Sequence, residues 1–111
     1  MTVTVKVLIP AKIAEGTQVV QYTANGLKAL VDKFTATNYS LVTATLSVNI
    51  VTVSGTPDNS NLIVKEKAIQ PGETYTFPEL VGQALSAGDF ISTIAGTASS
   101  LNIRANGREV T

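Results

Sequence analysis

The chain has 111 residues, 44% of them apolar and only 14% charged, against about 25% charged in an average soluble domain. This excludes intrinsic disorder, and the length suits one domain, expected over residues 1–111. Eight acidic and eight basic residues cancel, leaving no net field to draw in nucleic acid or an anionic membrane, and the lack of cysteine and histidine removes disulfides, thiolates and the commonest acid–base group.

Thr and Val dominate while helix-favouring Glu, Lys, Gln and Arg are scarce, so β structure is expected throughout. Val3, Val5, Val7 and Ile9 alternate with Thr4 and Lys6, a first strand that Pro10 is expected to end. Residues 17–24 predict a second strand, and the two-residue connection Asn25-Gly26 predicts a hairpin to a third over 27–37. Leu30, Phe34 and Ala36 share a parity that Val31 and Asp32 interrupt, which predicts a bulge near Val31–Lys33. From Leu41 to Ser54, Val42, Ala44, Leu46, Val48 and Ile50 alternate with Thr43, Thr45, Ser47 and Asn49. The parity change at Val51 and Val53 predicts a bend or a move between sheets before the turn Gly55–Ser60. Strands follow over 61–69 and 73–77. Pro78–Leu85 has the four-residue spacings Leu80/Ala84 and Val81/Leu85 behind a proline and a glutamate, and predicts a short helical crossover. Phe90–Ala95 and a last stretch in which Leu101, Ile103 and Ala105 alternate with Asn102, Arg104 and Asn106 bring the total to about eight strands.

Short strands with one apolar face each, separated by regular turn signals, predict an all-β antiparallel β-sandwich, jelly-roll or immunoglobulin-like. Its core should hold Val5, Val7, Leu46, Val48, Leu62, Val64, Tyr75, Phe77, Ile94 and Ile103. No apolar run approaches the roughly 18–20 residues of a membrane span, and no secretory leader is expected.

Catalytic constellations are missing. A hydroxyl nucleophile has no histidine and no Ser-x-x-Lys lysine to activate it. Glu73 with Glu79, or Asp58 with Asp89, would serve a glycosidase only if folding paired them; solvated turn charges are the plainer reading. Asp58-Asn59-Ser60-Asn61 is oxygen-rich but lacks the spaced acidic ligands of a calcium loop, so it reads as a turn, as does Asn106-Gly107-Arg108. Lys65 and Lys67, flanking Glu66, read as paired charges on an exposed strand edge. The six aromatics form no stacking platform for bases or sugars, and Tyr22, Tyr39 and Tyr75 are expected at the core rim. No enzyme activity, cofactor or metal is expected. A neutral, charge-poor surface with exposed strand edges favours association, so the expected role is an obligate structural subunit.

Gln21-Tyr22-Thr23-Ala24, the run Val31-Asp32-Lys33-Phe34-Thr35-Ala36-Thr37-Asn38, Asn61-Leu62-Ile63, Pro71-Gly72-Glu73-Thr74 and the stretch from Glu79 to Ile91 resemble small virion structural proteins of tailed bacteriophages over residues 17–110. The ending Ala105-Asn106-Gly107-Arg108-Glu109 departs from that pattern. The resemblance implies a β-sandwich component of the virion: a capsid decoration or cement protein, or a neck or tail accessory protein. It would associate with itself and with the major capsid protein or other virion proteins. A cell-surface binding module is the rival class. In a shell, the expected contact elements are Met1–Pro10, through Val3, Val5 and Val7, and the Gly55–Ser60 loop, through Pro57, Asp58 and Asn59.

Overall fold

The computed structural model describes residues Met1–Thr111. Nine strands form, in the order β1 (Val3–Ile13), β2 (Val19–Thr23), β3 (Lys28–Asn38), β4 (Ala44–Val51), β5 (Leu62–Ile69), β6 (Thr74–Thr76), β7 (Ala84–Leu85), β8 (Phe90–Ala95) and β9 (Leu101–Val110). A single 3-10 turn, Asn59–Asn61, precedes β5. One sheet runs β1-β9-β3, with β6 and β7 both on the far side of β3; the other runs β2-β8-β4-β5. Every pairing is antiparallel and the pairs are nested: β1 with β9, β2 with β8, β3 with β6 and β7, β4 with β5. The chain is in effect one long hairpin rolled into two facing sheets, which is the jelly-roll form of the expected sandwich. Counting β6 and β7 as one interrupted strand gives the expected eight.

The inner faces close over one core. Leu46, Val48, Val64, Phe77 and Ile103 are buried as expected, together with Ile9, Val31, Phe34 and Ile91. Phe77 meets the edges of Phe34 and Tyr75 at centroid distances of 5.4 and 4.8 Å. Tyr75, Leu62 and Ile94 are only half-buried.

Several expectations are corrected. Pro10 does not end β1, which continues to Ile13; β1 is an edge strand, where a missing N–H is tolerated. The register against β9 slips between Val7 and Ile9, so the apolar parity reverses there. Leu8 and Ile9 are both buried, whereas Val5 and Val7, expected in the core, are 84% and 40% exposed. Asn25-Gly26 makes no hairpin. Gly26 does take a positive φ of 67°, but β2 pairs with β8 and β3 with β9, so the connection is a corner between sheets. The Asn-Gly pair permits a sharp turn; burial of the flanking strands chooses their partners. β4 stays in one sheet and ends at Val51.

Pro78–Leu85 forms no helix. Leu80 N–H bonds Phe77 C=O and Gln83 N–H bonds Leu80 C=O as successive turns, and the chain rejoins β3 through Gly82 N–H to Val31 C=O and Val31 N–H to Gln83 C=O. One isolated helical turn is costly to nucleate, whereas these turns keep β3's edge satisfied and bury Leu80 and Leu85. The bulge foreseen at Val31–Lys33 is present, with Asp32 as the extra residue. Asn106-Gly107-Arg108 is not a turn but part of β9.

Candidate assembly surfaces

A sandwich has four lateral edges, and three of them are guarded. β5 carries a bulge at Glu66, whose φ of 49° is rare for a side-chain-bearing residue and whose N–H turns to Ser47 Oγ at 2.8 Å. The bulge separates the flanking lysines. Lys65 lines the outer face, while Lys67 reaches the other way and sets its ammonium 4.5 Å from the Tyr75 ring centre, so the two do not point alike as expected. β6 and β7 are short and split by the Phe77–Gln83 turns. β2 has five residues and a register shift of its own.

The fourth edge is the first half of β1. From Val3 to Val7 its pairing with β9 is regular: Val3 faces Val110, Val5 faces Arg108 and Val7 faces Asn106. Thr2 and Thr111 exchange both backbone hydrogen bonds. Antiparallel pairs alternate, so Thr4 and Lys6 also point their peptide groups at β9, while Val3, Val5 and Val7 point theirs out of the sheet. The three valine side chains lie together on the outer face of the sheet, with Val3 54% exposed. Nothing in the chain covers this edge.

The second expected contact element lies elsewhere. The Gly55–Ser60 loop folds over the outer face of the other sheet, on the β4–β5 side, so the structure does not bring Pro57, Asp58 and Asn59 together with Val3, Val5 and Val7. Asn49, buried on that face, donates to Asp58 C=O at 3.0 Å and to Asn61 Oδ1 at 2.7 Å. The Asp58 carboxylate accepts from both the N–H and the hydroxyl of Ser60, which holds its pKa below the ordinary value. Pro57 is half-buried, and Asp58 and Asn59 are exposed beside an open polar hollow of about 170 Å³ that also touches Ser47, Asn49 and Lys65. Most of the loop's polar groups serve the loop itself.

A third surface was not foreseen. The β3–β4 connection displays Leu41, 95% exposed, between the exposed Tyr39 and Val42. Buried Asn38 holds this tip: its Oδ1 accepts from Ser40 N–H and hydroxyl, and its Nδ2 donates to Val42 C=O at 2.8 Å and Ile69 C=O at 2.9 Å. Asn38, able to close a local side-chain turn, is the only sequence signal for it.

Of the carboxylates weighed for chemistry, Asp89 caps Val53 N–H and Ser86 N–H, and Glu73 accepts from Gln70 N–H. No group of three or more metal-ligating side chains comes together. Tyr22 donates its hydroxyl to Glu109 at 2.6 Å across the sheets; burial, then that carboxylate, pushes its pKa well above the tyrosine norm.

No known family profile matches the chain, and no curated protein matches it. Solved structures share its fold, two of them as follows. A chain from the Bacillus endospore appendages, described as a family of disulfide-linked pili, superposes with a TM-score of 0.56 at 12% identity over 99% of this chain and 88% of that one. A chain of infectious bursal disease virus, Gx strain, superposes with a TM-score of 0.56 at 10% identity over 97% of this chain and 32% of the viral one. This chain thus spans about a third of the viral chain. At such identities the likeness is one of fold: an all-β sandwich of a kind used in a pilus and in a virus.

Proposed function

We propose that this chain is a non-enzymatic structural subunit of a bacteriophage virion, a decoration or cement protein that associates with itself and with the major capsid protein on the head. The observation that carries the reading is the uncovered Val3–Val7 edge on a body whose other edges are guarded and whose surface is poor in charge. The tailed-phage resemblance over residues 17–110 and a fold shared with a viral chain support it. A subunit of this kind works by being gripped: small contacts repeated by symmetry accumulate through effective concentration. Assembly in the host cytoplasm and residence in the virion follow.

Counting copies in purified parent particles by quantitative mass spectrometry tests the reading. Hundreds of copies are expected for a shell protein. A single ring's worth would move the chain to the neck or tail, and absence from the particle would overturn the reading. The pilus likeness, which spans nearly the whole appendage chain, favours a second reading as a filament subunit. Such a filament would not be disulfide-linked, because this chain has no cysteine.

A further inference from the structure

We infer that the occupant of the open edge is a second copy of this chain, paired antiparallel through β1 with Val5 on the two-fold axis. The inference rests on the reading of the chain as an assembling subunit and adds a partner, a register and a symmetry to it.

The edge is open over one stretch only. Beyond Val7 the register slip at Leu8 and the missing N–H of Pro10 interrupt any incoming ladder, which leaves Val3, Val5 and Val7 as the residues with free, outward peptide groups. Three such residues spaced by two are self-complementary about the middle one. Val5 faces Val5 of the second copy and Val3 faces its Val7, giving about six backbone hydrogen bonds, two for each facing pair. On the outer face the valines of both copies then form one apolar cluster, flanked by Val110 and, beside Val5, by Arg108, whose guanidinium Asp32 holds.

Charge selects this register over its neighbours. On the opposite face, Thr4 lies between Glu109 of its own copy and Lys6 of the second. Threonine is short, so the lysine reaches over it towards the carboxylate that Tyr22 already holds. A register centred on Lys6 would set the two lysines face to face, which is repulsive. A register centred on Thr4 would place Lys6 opposite Thr2, whose own neighbour is Thr111 and not a carboxylate side chain. The ion pair, being exposed, contributes little strength; its role is to set the register.

Because the chain has no cysteine, single-cysteine variants report the register directly. A directly facing hydrogen-bonded pair has Cα atoms about 5.5 Å apart, within disulfide range. Under mild oxidation Val5→Cys should form a covalent dimer and Val3→Cys alone should not, while an equimolar mixture of Val3→Cys and Val7→Cys should cross-link as a heterodimer. Val5→Pro removes an outward N–H and leaves the pairing with β9 intact; it should melt like the parent while weakening self-association about tenfold or more. A parent chain that associates while Val5→Cys stays uncrosslinked, or a Val5→Pro variant that associates equally well, would overturn the edge pairing and leave the subunit reading standing. A parent chain that is monomeric at tens of micromolar would overturn both.

Discussion

Gly107 shows how much a single position can carry. A methyl group there would overlap the Leu30 carbonyl oxygen and sit 2.8 Å from Leu8 Cδ1, because the β3 backbone and the Leu8 side chain together fill the space a side chain would need. Gly107→Ala should therefore cost at least about 1–3 kcal/mol, read from urea midpoints at an unchanged slope. Asn38 carries a comparable burden through four hydrogen bonds. Asn38→Ala removes all four and should cost about 1–3 kcal/mol, with faster amide exchange at Ser40 as the local sign that the Leu41 tip has loosened. Tyr22 sets a pH dependence. Its folded pKa lies above the unfolded value near 10, so the neutral hydroxyl is favoured in the fold; its contribution is complete below about pH 10 and declines as pH rises beyond. Alkaline melts should show this decline in the parent chain and less of it in Tyr22→Phe. Glu15 acts with the opposite sign: bonds from Lys12 first and Gln21 second lower its pKa, so its contribution is lost only as pH falls below the ordinary glutamate range.

At the level of strands, edge character decides behaviour. The Glu66 bulge bends β5 away from pairing at the cost of a left-handed backbone. Glu66→Gly should relieve that strain and stabilise the fold by up to about 1 kcal/mol in thermal melts, since glycine adopts positive φ freely. The strand pattern was largely legible in the sequence wherever apolar and polar residues alternate without interruption, as in β4 and β9. The β3 bulge was legible because Asp32 is polar and breaks the parity visibly. The β1 bulge was not, because Val7, Leu8 and Ile9 are all apolar and a parity slip inside such a run leaves no mark. The consequence is large: the unbroken alternation places Val5 and Val7 in the core, and their exposure rules that out. Asn25-Gly26 misled for a related reason, since turn chemistry reports local backbone preference while the strand partner is set by which faces can be buried together. The Leu41 tip is hidden in the sequence because Val42 continues the alternation of β4, so the expected strand begins at Leu41 and the observed one at Ala44.

Across the whole molecule the nested pairing joins the two ends of the chain, β1 to β9, so most contacts that hold the fold are distant in sequence. Refolding should therefore be slow for this size, on the order of milliseconds to seconds, and a microsecond phase with full amplitude in stopped-flow or temperature-jump work would contradict that topology. The same rolled hairpin leaves the outward edge of the first half of β1 unpaired, on a surface whose charges cancel. The account stands on that edge being used. Sedimentation velocity of the intact chain from sub-micromolar to tens of micromolar tests this most directly: the weight-average mass should rise above the 11.6 kDa of one copy as concentration increases, and a single species of 11.6 kDa across the whole range would contradict the account.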